Sequence, residues 1–294
     1  MRMRTLLVSG LAWTVFVCVF LAVPAANADV VGSIFLTGHD PDFHAALGGN
    51  AVGAQHINQA AINFIMDPAF NTFVAGGTKE FLYVECDTCP VPGGHTDGVA
   101  GMTDSAGGYP AGTTFETHGA ADGLDAALGQ LGTKYSAIVV GSDFGGMLTQ
   151  AELDILNAHQ TDIINFLNAG GGLYGISEGS GCCALTTHDR WGFLPFVTTE
   201  DPKDQGESGF TVTPFGAGLG LVDGDINGNA SHSVFTGTFG LNIVDTDPSG
   251  DILSLAGRGK VSTGGVVPEP GSVLLFGTSL LLLAGRFAFR KKTS

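Results

Sequence analysis

Up to residue 176 the chain alternates short apolar runs with longer segments of helical period. Residues 31–37, 80–85, 137–141 and 173–176 are runs of strand length; Phe81-Leu82-Tyr83-Val84 and Leu173-Tyr174-Gly175-Ile176 contain no charge at all. Runs of this kind suit strands buried on both faces. Between them, residues 55–66 place Ile57, Ala61, Phe64 and Ile65 on one helical face, and residues 120–131 read as a second helix. The best-signalled helix starts at Thr149. Thr149-Gln150-Ala151-Glu152 is a capping box, with Leu148 and Leu153 placed as a hydrophobic staple. Leu153, Leu156, Ile163, Phe166 and Leu167 continue the stripe, and Gly170-Gly171-Gly172 ends it. Residues 86–118, rich in Gly, Pro and Thr, read as one long loop. Past Trp191 the pattern turns β-rich, with strands expected at 209–214, 241–244 and 251–256. Apolar strands separated by helices predict an α/β fold whose parallel sheet is covered on both faces.

The two ends follow other rules. Arg2 and Arg4 precede an apolar stretch at 6–23, and Ala26-Asn27-Ala28 is a small-x-small cleavage site ahead of Asp29. That predicts a signal peptide over residues 1–28. At the other end, Val267-Pro268-Glu269-Pro270-Gly271 is followed by an uncharged run to Gly285, and Arg286 lies three residues before Phe289. About 20 apolar residues span a bilayer, and an Arg near one end can snorkel, so a transmembrane helix is expected at about 271–289. The Arg290-Lys291-Lys292 cluster predicts a cytoplasmic C-terminus. An ectodomain of residues 29–265 remains. A Pro-Glu-Pro triplet, one hydrophobic segment and a terminal basic cluster resemble a PEP-CTERM sorting signal, here residues 266–294. Such signals are substrates of exosortase, a membrane transpeptidase of Gram-negative bacteria. The resemblance implies sorting through Pro268, Glu269 and Pro270. It implies processing by exosortase and signal peptidase, inner-membrane anchoring, and then a cell-surface or extracellular location. It also implies an extracellular-matrix role linked to exopolysaccharide.

Charge and cysteine content narrow the partners. Outside the two terminal segments, 27 acidic residues face six basic ones, a formal charge near −21. Nucleic acid is excluded as a natural partner, because phosphate neutralisation needs Lys and Arg. The acidic surface suits an extracellular protein and leaves room for a divalent metal, though no cofactor is fixed. Cys18 leaves with the signal, which leaves Cys86, Cys89, Cys182 and Cys183. In an oxidising compartment these read as disulfides joining the Cys86/Cys89 loop to the Cys182/Cys183 loop, since adjacent cysteines seldom bridge each other. The alternative is a four-cysteine zinc site, for which Cys182-Cys183 lacks the usual spacing.

Residues 137–140, the Gly145-Gly146 loop, the helix from Thr149 and residues 170–176 resemble the centre of class I glutamine amidotransferase-like domains of the trehalose-utilisation (ThuA) type. Ser231-His232-Ser233-Val234-Phe235 is similar to the His-Pro-Ile/Val-Phe segment of that group, with Ser233 in place of proline. Residues 257–261 resemble its final strand. The resemblance implies a flavodoxin-like three-layer architecture with its active edge at the strand C-termini.

Ligands of open α/β sheets bind beyond those ends. His39, Asp40, Asp42 and His44 follow the first strand, and Asp143 with Gly145 and Gly146 follows the third. Ser177, Glu178 and His188 follow the fourth. All but Ser177 and His188 are expected to line a ligand site, with His39, Asp42 and His44 as candidate metal ligands. The bland reading of that first loop is a polar turn whose carboxylates cap the next helix. Gly175-Ile176-Ser177-Glu178-Gly179 is a G-x-S-x-G sequence after a buried strand, the context of a nucleophile elbow. It suggests Ser177 as nucleophile with His188 or His232 as base, and an oxyanion hole at Gly145-Gly146. A chain with 46 glycines also produces that pattern by chance. Asp223-Gly224-Asp225-Ile226-Asn227-Gly228 resembles the start of a calcium loop, but Val234 stands where the bidentate Glu belongs, so a turn is expected. The sequence therefore reads as a surface or matrix component with no assigned reaction, its rival being an extracellular serine hydrolase.

Overall fold

The structure is a computed structural model, and it describes residues 32–86, 98–143, 147–177, 190–194, 196, 200–202, 206–262 and 265–267. Its strands are β1 (Gly32–Thr37), β2 (Glu80–Val84), β3 (Thr114–His118), β4 (Tyr135–Val140), β5 (Gly172–Ile176), β6 (Glu200–Pro202), β7 (Thr211–Val212), β8 (Ser233–Phe235), β9 (Asn242–Thr246), β10 (Ile252–Ser262) and β11 (Gly265–Val267). Its helices are α1 (Pro41–His44), α2 (Ala51–Ile65), α3 (Thr72–Ala75), α4 (Gly98–Ser105), α5 (Leu124–Leu128), α6 (Gln150–Ala158), α7 (Gln160–Asn168), α8 (Pro214–Gly218) and α9 (Asp223–Ile226).

Five strands run parallel in the order β3-β2-β4-β5-β1. β1 and β4 are buried along their whole length, which explains their lack of polar alternation. Numbered along the chain this is 3-2-4-5-1, which differs from the expected flavodoxin-like order 2-1-3-4-5 in that the first strand lies beside β5 and not between the second and third strands. The sheet is also mixed, not wholly parallel. β10 lies antiparallel to β1 and carries β8, β9 and β11, while β6 joins β8 and β7 joins β9. The connection from β9 to β10 holds no crossover helix, so these two strands pair antiparallel.

Side chains alternate between two buried layers. Ile34, Leu36, Ile138 and Leu173 meet Leu153 and Leu167 on one face. Phe35, Tyr83, Val139 and Tyr174 meet Ile57 and Ile65 on the other. Helices thus cover both faces.

Several expected boundaries move for identifiable reasons. α2 starts at Ala51 because Asn50 caps it, accepting from Gly53 N at 3.0 Å. The long loop expected at 86–118 contains α4 and β3. β3 is a polar edge strand held by Phe115 stacked on Phe81, ring centroids 5.1 Å apart. α4 approaches α1 closely because Gly101 has no side chain: a β-carbon there would lie 1.8 Å from Asp42 O. The helix expected at 120–131 shrinks to α5, preceded by Gly123 in the left-handed region at φ 101°. The helix from Thr149 divides at His159 into α6 and α7. The His159 ring lies 3.0 Å from both Asp125 and Asp162. The strand expected at 209–214 is only β7, because Pro214 opens α8 behind a Thr213 cap. The calcium-like segment forms α9: Asp223 accepts from Val212 N at 2.8 Å and Asp225 from Val222 N at 2.9 Å.

Glu152 does more than close its capping box. One carboxylate oxygen accepts from Thr149 N at 2.9 Å, and the other accepts from Ala120 N at 2.7 Å. The side chain is buried and ties α6 to the segment leading into α5. Glu152→Ala should therefore cost about 1–3 kcal/mol, the loss of a cap plus an orphaned amide. Urea unfolding of the two proteins reads this directly.

Candidate functional site

The C-terminal edge of the sheet is organised around the exit of β1. Gly38 leaves no room for a side chain: a β-carbon there would lie 2.1 Å from Ser233 O. The 231–233 segment can therefore lie directly on the loop. Gly38 O accepts from His232 N and from Ser231 Oγ, both at 3.1 Å, and His39 bridges Ser231 in antiparallel fashion. This contact brings His232 to a carboxylate nearly 200 positions earlier in the chain. Asp40 Oδ1 lies 3.1 Å from His44 Nε2 and 3.9 Å from His232 Nε2. One ligand-capable atom from each of Asp40, His44 and His232 falls within 4.8 Å of the other two. Asp40 is buried, and its Oδ1 has no hydrogen-bond partner; neither ring nitrogen of His44 has one. The Asp40–His44 approach is a charge contact without hydrogen-bond alignment. Burial alone would lower the His44 pKa, but contact with Asp40 outweighs it and raises the pKa above the ordinary imidazole value.

The neighbouring loop residues face elsewhere. His39 Nε2 meets Asp245 Oδ2 of β9 at 2.7 Å, with both groups buried. His39 N donates to Thr37 Oγ1, which also pairs with Ser254 Oγ at 2.9 Å. Asp42 accepts from Ser142 N at 2.8 Å, Tyr83 OH at 3.2 Å and Phe43 N at 3.1 Å. Burial pushes its pKa up to about 6 against the pull of the Ser142 amide, with Asp40 adding to the rise. Of the expected metal ligands His39, Asp42 and His44, only His44 belongs to the cluster. Asp40 and His232 take the other two places, because successive loop side chains point in different directions.

Beyond β4 and β5 the described contacts are an ion pair and hydrogen bonds. Asp143 forms a buried ion pair with Arg190, whose Nη1 also donates to Ile176 O at 2.7 Å. The guanidinium thereby pins the ends of β4 and β5 together. Ser177 N donates to Thr37 O at 2.9 Å, and Ser177 Oγ pairs with Ser233 Oγ at 3.0 Å; the residue is fully buried. Glu85 accepts from Gly98 N at 3.1 Å, at the start of α4. Cys86 is disulfide-bonded, and Cys89, Cys182 and Cys183 lie outside the described residues, as do Gly145, Gly146, Glu178 and His188. Arg190, Asp245 and Tyr83 escaped the sequence reading. Arg190 carried a usable signal, as one of only six basic residues outside the terminal segments. Asp245 carried none, lying 206 positions from its partner.

This arrangement gathers one carboxylate and two imidazoles at Asp40, His44 and His232, donors of the kind that hold a cation.

Residues 266–292 match the family model described as the PEP-CTERM protein-sorting motif. No curated protein matches the chain. The motif marks the protein as processed by exosortase and exported for surface display or secretion in a bacterium. Among the described residues, no helix is long and apolar enough to cross a membrane; the span expected at 271–289 and the Pro268-Glu269-Pro270 triplet lie outside them.

Proposed function

We propose that this protein is a non-enzymatic component of the extracellular matrix of a Gram-negative bacterium. The ectodomain is exported after signal-peptide removal at Ala28, held in the inner membrane through 271–289, and then released to the exopolysaccharide layer. The sorting motif at residues 266–292 carries this reading. The acidic ectodomain agrees with it. For the ectodomain the amidotransferase-like assignment is retained, supported by the β3-β2-β4-β5-β1 parallel core and by helices on both faces. Disulfides between the Cys86/Cys89 and Cys182/Cys183 loops belong to the same proposal.

The test is co-fractionation. In cells that make exopolysaccharide, the protein should sediment with the polysaccharide and leave it when the polysaccharide is digested. Recovery wholly in the polymer-free supernatant would count against a matrix role. The rival reading, a serine hydrolase acting through Ser177 with His188 or His232, makes the opposite prediction for an activity probe. A nucleophilic serine must reach solvent and an imidazole base. Ser177 is fully buried, so a fluorophosphonate should leave the protein unlabelled. Labelling that disappears in Ser177→Ala would establish the hydrolase instead.

A further inference from the structure

We infer that Asp40, His44 and His232 form a binding site for a divalent transition metal of the zinc class, with one coordination position left open. The donor set of two imidazoles and one carboxylate is the one zinc prefers in sites that keep an open position. The spacing fits. A tetrahedral ion with bonds of about 2.0–2.1 Å holds its ligand atoms about 3.3 Å apart. Asp40 Oδ1 stands 3.1 Å from His44 Nε2 and 3.9 Å from His232 Nε2. The two imidazole nitrogens lie within 4.8 Å of each other, so closing on an ion would require the exposed His232 ring to swing inward by up to about 1.5 Å.

Three further observations point the same way. Asp40 is 1 % exposed, and its Oδ1 lacks a hydrogen bond. A buried carboxylate oxygen without a donor is costly unless a cation satisfies it. Neither ring nitrogen of His44 makes an aligned hydrogen bond, and its Nε2 faces Asp40 Oδ1 in a charge contact that a metal ion would bridge. The His44 ring is held by packing: its centroid is 5.0 Å from that of Phe43, and a β-carbon at Gly48 would lie 2.3 Å from its Nδ1. The two histidine side chains are 14 % and 19 % exposed. The open position therefore faces solvent, where water or an oxygen of a sugar or carboxylate could complete the shell. His39 and Asp42 do not compete, because Asp245 and Ser142 occupy them.

The experiment uses the full-length protein in detergent, stripped of metal and titrated with Zn²⁺ against a chromophoric chelator, with Co²⁺ as spectroscopic probe. The expected result is one Zn²⁺ per chain. His44→Ala and His232→Ala should each weaken binding more than about tenfold, while His56→Ala, whose ring pairs with Asp225 instead, should not. The Co²⁺ spectrum should show nitrogen and oxygen ligation without a thiolate charge-transfer band. Absence of stoichiometric uptake would mean that Asp40 and His44 form an ion pair only, and would overturn the site. A thiolate band would assign the metal to cysteines and overturn it equally. If His44→Ala fails to fold, the more exposed His232→Ala decides the question.

Discussion

Arg190→Met should lower the stability of the ectodomain by about 3–5 kcal/mol. Arg190 and Asp143 are both almost fully buried, and their side chains are in direct ionic contact. Removing the guanidinium leaves a carboxylate in a dry interior and frees the Ile176 carbonyl that Arg190 Nη1 holds at 2.7 Å. The loss exceeds the net value of the pair, because the stranded charge carries its full desolvation penalty. That distinction gives a second, sharper expectation. Replacing both residues with apolar ones of similar size should recover much of the loss. Chemical unfolding of the two single variants and the double variant checks this. A double variant as unstable as the sum of the singles would show that the charges act independently.

Trp191→Ala should cost a similar amount, about 3–5 kcal/mol, through the cavity it opens. The indole is 2 % exposed and packs beside Phe193 and Phe235, each with a centroid separation of 6.2 Å. It also sits against the backbone of β5: a β-carbon at Gly175 would stand 2.3 Å from its ring. The indole and Gly175 therefore act as one unit. Gly175→Ala would push the ring out of its place and should destabilise by about 1–3 kcal/mol. In the Trp191→Ala background the same methyl should cost far less. Thermal unfolding of the four proteins measures that coupling.

Gly175 shows how one glycine can carry two readings. Its place in Gly175-Ile176-Ser177-Glu178-Gly179 suggests a tight turn that presents a nucleophile. In the fold it makes room for an indole. The same lesson applies at Gly38, which lets the 231–233 segment reach the loop after β1. Both glycines answer to distant side chains or backbone that local spacing cannot reveal. What was legible is what depends on local order. The buried runs of β1, β2, β4 and β5 were visible because their apolar residues are contiguous. The start of α6 was visible because Thr149 and Glu152 lie three residues apart. β3 was hidden by its polar, edge-strand composition, while β10 was expected as two pieces, 251–256 and 257–261, that form one continuous strand. The division of α6 from α7 at His159 leaves the helical stripe unbroken, so the pattern cannot report it.

The site was legible as a neighbourhood and not as a set of partners. His39, Asp40, Asp42 and His44 all sit on the predicted edge. Which of them meet depended on contacts with Asp245, Ser142 and His232, all at least 100 positions away. A disulfide at Cys86 agrees with the export that the sorting motif marks.

The most direct test of the account is the fate of the tail. The full chain should be expressed in exosortase-competent cells beside a variant carrying Pro268→Ala, Glu269→Ala and Pro270→Ala, and both traced by fractionation and intact mass. The account predicts that the parent loses its tail and reaches the surface or medium, whereas the variant keeps the tail and stays in the membrane fraction. Equal processing and release of the two proteins would contradict it.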